Sequence, residues 1–325
     1  MNSTIKSPFN KIAFFTENDF EGYVPRNHVN MRTEFAWMVA LNAYHHKLGT
    51  YPKEKFDLGI VITSKTKPEL TDIKELKKHC DQVAIMQEGP FWYFQDYDMQ
   101  HQVNYYNNLA LADMVFCHNE VDKFYFKGLL QNKPVFKLQS LMIEDAVVDV
   151  CPPEQRSGVM IGGNFVSWYG GFDSWRLAKY FTDDIYMPSM GRHQKGEEGI
   201  GIKKIPFTLW SGFIKELSKR KLGIHMMRTH AAGTFALNCS YLGIPCIGYK
   251  GLDTQSTLHP DLSFDDGDLY RASRALNRLW NDVDFYNHCA NVTKENYQKH
   301  YTEEWFLKHF NTSTTIWKDT INGKS

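Results

Sequence analysis

The sequence predicts an α/β protein built as two doubly wound domains in tandem. Three observations carry this. At 325 residues the chain is longer than one hydrophobic core usually fills. Short β-rich apolar runs alternate with helical periodicity, the rhythm of a parallel sheet. That rhythm lapses once, at VCPPEQRSG (150–158), where Pro, Gly and charge replace the apolar pattern as in a linker, and then it restarts.

In the first half the pattern predicts a strand at 11–17 (KIAFFTE) and a helix from about Met31 to His46. A strand at 57–63 (DLGIVIT), a helix near 70–79 and a strand at 82–88 (QVAIMQE) follow. A helix around 98–110, a strand at 113–119 (DMVFCHN), a helix near 121–130 and a short strand at 134–139 (PVFKLQ) complete the half. The second half predicts strands at 158–165 (GVMIGGNF), 184–190 (DIYMPSM), 221–227 (KLGIHMM) and 244–249 (IPCIGY), with helices at Phe172–Phe181, Phe207–Lys219 and Gly233–Leu242 between them. After residue 268 the pattern is helical only, through Leu269–Asn281, Val283–His300 and Thr302–Phe310. The expected organisation is an N-terminal domain over 1–150, a second over 151–304, and a C-terminal segment at 305–325 that packs back on the first, with a cleft between the domains.

Apolar residues at 42% and aromatics at 14% suit a packed globule rather than a disordered chain. Lys plus Arg and Asp plus Glu both count 37, so no whole-molecule field draws the protein to a polyanion, and any such site must be local. The six cysteines form no Cys-x-x-Cys pair and sit mainly in apolar runs, as in a reducing cytoplasm. The N-terminus MNSTIKSPFNK lacks the apolar stretch of a signal peptide and no window reads as a membrane span, so a soluble cytoplasmic protein is expected.

The most informative stretch runs from Met226 to Pro245 (MMRTHAAGTFALNCSYLGIP). A strand ends in a turn containing Gly233 and Thr234 that opens a helix, which points backbone N–H groups and the positive helix end outward together. Arg228, Thr229, His230 and Thr234 add side-chain donors there, a set suited to a diphosphate. An ordinary αβ connection with a polar turn has the same outline.

Residues 237–247 (LNCSYLGIPCI) resemble the donor-site signature of the GT-B glycosyltransferases, in which a helix carrying a ribose-binding acid runs into a small-residue-Gly-x-Pro turn and an apolar strand. Here Asn238 holds the acid's position, so ribose recognition falls to an amide or to another residue. Further segments are similar to the T-even bacteriophage DNA glucosyltransferases, which modify hydroxymethylcytosine. Ile161-Gly162-Gly163-Asn164-Phe165 resembles the glycine turn that approaches the donor phosphates. Lys204-Ile205-Pro206 resembles the segment whose backbone reads the base, and Leu252-Asp253-Thr254 the loop after the last strand. Ala112–His118 resembles an N-domain strand. The chain departs from the β-type phage enzyme after the glycine turn, where Phe165-Val166-Ser167-Trp168 stands in place of arginines. Arg228, Arg192 and His230 remain as phosphate cations, and Ser189 and Arg192 follow a strand end facing the same way.

The resemblance implies two Rossmann-like domains of the GT-B type and a nucleotide-sugar donor, UDP-linked, on the C-terminal half. Its donor set is Gly162, Gly163, Ser189, Arg192, Ile205, Arg228, Thr229, His230, Gly233, Thr234, Asn238 and Asp253. Ligands of open α/β sheets gather beyond the carboxyl ends of the strands, which singles out two acidic sites for a catalytic base in the N-terminal half. Glu88 ends an apolar strand before Gly89-Pro90-Phe91-Trp92, resembles the position of the catalytic aspartate of the β-type phage enzyme, and would give an inverting reaction. Glu17 and Asp19 end the first strand and compete for the role, or bind acceptor. Phe91, Trp92 and Tyr93 head an aromatic cluster that either stacks on a sugar or base or belongs to the core. For a DNA acceptor the phosphate cations would be Arg26, Arg32 and Lys195.

Three Asp-x-Asp triplets occur, at Asp96–Asp98, Asp266–Asp268 and Asp282–Asp284, and none follows a strand as a metal site needs, so no metal is expected. His45-His46 is read on a helix without supporting ligands. The expected function is sugar transfer to hydroxymethylcytosine in double-stranded phage DNA, in the host cytoplasm. A GT-B enzyme of surface-glycan synthesis and a two-lobed small-molecule binding protein are the alternatives.

Overall fold

The computed structural model describes residues 7–64 and 67–321, with the side chains of 320 and 321 left aside. The first six residues of the N-terminus and the last four of the segment 305–325 lie outside the described residues. The chain forms two compact units: Met1–Arg26, Glu34–Ser140 and Glu303–Ser325 make one, and Asn27–Thr33 with Leu141–Thr302 make the other.

The first unit carries β1 (Ile12–Thr16), β2 (Gly22–Tyr23), α1 (Thr33–Ala40), β3 (Tyr44–Lys47), β4 (Phe56–Val61), α2 (Ile73–His79), β5 (Cys80–Met86), α3 (Met99–Leu111), β6 (Met114–Cys117), α4 (Glu120–Leu130) and β7 (Val135–Lys137). Its sheet runs β2-β3-β1-β4-β5-β6-β7, parallel except for the β2–β3 pair. Strands buried on both faces explain the unbroken apolar runs, such as IAFFT in β1.

One element differs from the expected pattern. The helix from Met31 to His46 stops at Ala40, because Asn42 takes a left-handed backbone conformation (φ 48°) and the chain turns out of the helix. Residues 44–47 then form β3 beside β1, so His45 and His46 lie on a strand rather than a helix. Periodicity could not see this, since Tyr-His-His-Lys fits either state.

The second unit carries β8 (Val159–Ile161), α5 (Gly171–Lys179), β9 (Ile185–Pro188), β10 (Lys203–Ile205), α6 (Trp210–Ser218), β11 (Leu222–His225), α7 (Thr234–Leu242), β12 (Cys246–Tyr249), α8 (Asp253–Leu258), β13 (Ser263–Phe264), α9 (Leu269–Asn281) and α10 (Val283–His300). The all-parallel order β10-β9-β8-β11-β12-β13 is the 3-2-1-4-5-6 order of dinucleotide-binding sheets. The switch point lies between β8 and β11, where the chain reverses its direction of travel across the sheet. Val159, Ile161, Leu222, Ile224 and Ile247 build the core beneath it.

The final helix, α11 (Glu303–Ile321), belongs to the first unit. Phe306 packs on Trp37 at 4.9 Å between ring centroids, Phe310 lies 5.9 Å from Phe116, and Trp317 lies 6.4 Å from Phe9. Among the described residues no helix is long and apolar enough to cross a membrane.

Candidate functional site

In the second unit, two loops meet at the switch point. After β8 the chain turns at Gly162-Gly163, and after β11 it runs through Met226–Ala232 into α7. The glycines are there for space: a Cβ on Gly162 would stand 2.6 Å from His225 and 2.7 Å from Phe235, and one on Gly163 2.9 Å from Tyr169. Gly170, which opens α5, has φ 62°, and its Cβ would fall 1.7 Å from the Met226 carbonyl oxygen. The two loops are thereby locked against each other.

Gly233 caps α7 at φ 70°, a conformation that glycine adopts without strain. Its carbonyl accepts the Leu237 N–H, so the first-turn N–H groups of α7 precede any intrahelical acceptor and point out of the helix. Around this helix end lie polar atoms that are shut off from water and have no protein partner: Asn164 Nδ2, His225 Nε2, Thr229 Oγ1, His230 Nδ1 and Asn238 Oδ1. Unmet buried polar atoms are costly, and native structures leave few of them. Five such atoms gather at this one end of the sheet, which makes it the candidate ligand site of the unit. Burial pushes the His225 imidazole down to about 4, so it is neutral at physiological pH.

Arg228 is engaged from the other side. Its Nη2 donates to Asp173 Oδ2 at 2.8 Å, its Nε stands 3.5 Å from Asp266, and Tyr249 Oη donates to the same Asp173 oxygen at 3.4 Å. Any anion reaching this guanidinium would have to compete with Asp173 and Asp266. Arg192 is exposed with its guanidinium 5.7 Å from the Trp168 ring, and the Trp168 carbonyl accepts the Arg228 N–H. Ser189 N–H donates to Ile205 O at 3.0 Å, which ties the ends of β9 and β10 together, while Lys204 is held by the buried Glu197 at 3.1 Å. Thr234 begins α7 and Asp253 begins α8. Lys195 is exposed on the loop between β9 and β10, and Arg32 is exposed in the Asn27–Thr33 segment.

In the first unit, Glu88 follows the carboxyl end of β5, half-buried, beside a crevice of about 10 Å³ lined by Thr63, Gln87 and Tyr93. The turn that presents it is rigid: Gln87 Nε2 donates to the Gly89 and Pro90 carbonyls at 3.0 and 3.3 Å, Tyr105 Oη donates to Gln87 Oε1, and the Phe91 N–H donates to Asp122 at 3.0 Å. Sequence reading missed Gln87, Asp122 and His118. His118 is buried, its Nδ1 donates to the Leu138 carbonyl at 2.9 Å, and its Nε2 has no partner. Burial lowers its pKa against the raising influence of the Leu138 bond and of Glu88.

The competing acids are differently placed. Ser64 Oγ donates to Glu17 Oε1 across the β1–β4 switch point. Asp19 is exposed and bound by Lys47 at 2.7 Å, and that hydrogen bond holds its carboxyl below the usual range. Of the aromatic cluster, Phe91 stacks on Tyr125 at 4.2 Å and Phe94 on Tyr105 at 3.7 Å, and Phe91, Tyr93 and Tyr97 pack against the core. Trp92 is half-buried, its ring centroid 6.5 Å from that of Tyr93. Arg26 forms a two-pronged pair with Glu303 at 2.9 and 2.6 Å.

The Asp-x-Asp triplets have a structural explanation: Asp98, Asp268 and Asp282 cap α3, α9 and α10, each accepting a first-turn N–H. Among the described residues no group of three or more His, Cys, Asp or Glu side chains is placed to hold a metal.

No family model matches the sequence, and no curated protein matches it. Solved structures do. The chain is similar to an alpha-glucosyltransferase determined with UDP and a 13-mer DNA containing an HMU base, at 12% identity and a TM-score of 0.64, over 95% of this chain and 99% of that one. The fold is that of the GT-B glycosyltransferases. Anabaena Alr3699/HepE, determined with UDP and glucose, shares this GT-B fold at 10% identity and a TM-score of 0.60, over 96% of this chain and 99% of that one. TarM, from S. aureus, is similar at 10% identity and a TM-score of 0.62 over 79% of this chain, which spans 54% of the TarM chain.

Proposed function

We propose that the protein is a glycosyltransferase that takes a sugar from a UDP-linked donor bound on the second unit. One observation carries this: the cluster of partnerless buried polar atoms around the Gly162-Gly163 turn and the α7 N-terminus, at the switch point where sheets of this order hold nucleotides. The neighbours solved with UDP support the nucleotide. In the reaction the acceptor hydroxyl loses its proton to Glu88 and forms a bond to the anomeric carbon. The bond from that carbon to the diphosphate oxygen breaks, and Arg228, His230 and the α7 N-terminus receive the charge on the departing diphosphate. Direct attack inverts the anomeric centre. The proposal needs no metal.

For the acceptor we propose 5-hydroxymethylcytosine in DNA, supported by the likeness to an enzyme solved on DNA with a modified base and by the quoted phage-like segments. The zero net charge favours a second reading, a surface-glycan acceptor. The six cysteines are free thiols, which suits the cytoplasm. Incubating the protein with a panel of nucleotide sugars and either hydroxymethylated or unmodified DNA, then digesting to nucleosides, tests both levels. Added sugar mass on hydroxymethylcytosine is expected. Turnover of a UDP-sugar on another acceptor only would move the assignment to glycan synthesis, and no turnover with any donor would overturn the enzyme reading.

A further inference from the structure

The second unit holds another cavity at the opposite end of its sheet. The segment at Arg156–Gly158 runs beside residues 219–221, just before β11: Ser157 N–H donates to the Lys219 carbonyl at 2.9 Å, and Lys221 N–H donates back to Ser157 at 3.3 Å. Beside this segment lies a solvent-open cavity of about 840 Å³, within the range that small molecules occupy. Val150, Pro152 and Leu242 give it apolar wall, Tyr241 supplies a ring, and Arg156 and Lys294 line it with positive charge.

Arg156 is the unusual member. Its Nε is shut off from water without a hydrogen-bond partner, and among the described residues it has no ion pair. The comparable arginine of this unit, Arg220, stacks on Tyr186 at 3.4 Å and bonds to Glu216. Arg156 is part-buried, and burial disfavours its charge against the raising influence of Glu154 and its other neighbours; a cation with a dry, unpaired Nε and no ion pair is favourably met by an anion from solution. At the end of α7 the Ser240 and Cys239 carbonyls accept the Gly243 and Ile244 N–H groups, and no carbonyl accepts from Arg156 Nε. The carboxylates of the cavity have other partners: Glu144 accepts from Tyr297 at 3.2 Å, and Glu295 stands 3.7 Å from Lys299. Lys294 lays its stem across Gly243, where a Cβ would stand 2.3 Å from its Cε, and the residue is exposed.

We propose that this cavity is a second ligand site, for a small organic phosphate whose dianion sits on Arg156 and Lys294 and whose apolar body lies against Tyr241 and Pro152. Two cations without carboxylate partners fit a phosphate better than a single negative charge, and the apolar walls require more than the inorganic ion. The site is separate from the donor cradle, because α7 presents its N-terminal end to the cradle and its C-terminal end here.

The test is calorimetric titration of phenyl phosphate into the full chain with UDP saturating, so that the cradle is occupied. One equivalent should bind, inorganic phosphate should bind at least about tenfold more weakly, and Arg156→Met should lose at least about tenfold in affinity. Without ligand, Arg156→Met should melt no lower than wild type, since it removes an uncompensated cation, and phenyl phosphate should raise the melting temperature of wild type only. Should Arg156→Met fail to fold, the exposed Lys294→Met carries the same comparison. Equal affinity of the variants and wild type, or no binding of phenyl phosphate at about 10 mM, overturns the site. Inorganic phosphate binding as tightly as phenyl phosphate overturns the organic body of the ligand.

Discussion

Replacing Arg228 by alanine separates a role in donor binding from a role in folding. Its side chain is 48% exposed and its pair with Asp173, at 2.8 Å, is close to the surface, so the pair contributes about 1 kcal/mol or less to stability. Asp173 keeps the Tyr249 hydroxyl at 3.4 Å, and the fold should survive. Against a diphosphate the same guanidinium would form charge-assisted hydrogen bonds worth about 1.5–3 kcal/mol. Asp173 and Asp266 already occupy it, which places the loss at the lower end, roughly tenfold in UDP affinity. Calorimetric titration of UDP at about 0.15 M salt, alongside a thermal melt, measures both quantities. Asp173→Asn removes a competitor and should leave UDP binding unchanged or tighter. A folded Arg228→Ala protein that binds UDP as wild type does would remove Arg228 from the cradle, and weakened binding in Asp173→Asn would refute the competition.

Glu88→Gln should lower turnover by roughly 10²–10⁴-fold while UDP affinity stays constant, and the product anomer followed by NMR should be inverted; a near wild-type rate or a retained anomer sinks Glu88 as the base. Turnover should persist in excess chelator, and its loss with rescue by manganese would restore a metal to the reaction. Transfer to hydroxymethylated DNA should fall steeply as salt rises, and a flat response would rule out phosphate contacts. Stability should also fall between about pH 6.5 and 4. Burial holds His45, His225 and His259 at about 4 in the fold, whereas the unfolded chain takes up their protons near 6.5, so each adds up to about 1.4 kcal/mol per pH unit across that window. His259 Nε2 donates to Ala236 O and its Nδ1 accepts from Cys246, which fixes the neutral form, and His259→Gln should flatten the slope in chemical denaturation. An equally steep slope in that variant would assign the effect to other groups.

What the sequence by itself determined about this protein is its alternation and its punctuation. Unbroken apolar runs such as IAFFT in β1 and MVFC in β6 need burial on both faces, and only a covered parallel sheet provides it. The turn at Gly233 before an apolar run was legible as a helix start, and a helix start exposes N–H groups wherever it is placed. Tertiary structure decided what local pattern leaves degenerate. Tyr44–Lys47 fits a helix or a strand by periodicity, and pairing with β1 made it a strand. The strand order across the switch point, which brings Gly162 against His225, depends on which edges pair and has no local trace. Charges were legible one at a time, but their partners were not. Arg228 and Arg26 both read as cations for phosphate, and packing gave them Asp173, 55 residues away, and Glu303, 277 residues away. Arg156 stood in the linker with no signal at all, and only burial without a partner singled it out, since desolvation belongs to a position in the folded chain and not to a residue type.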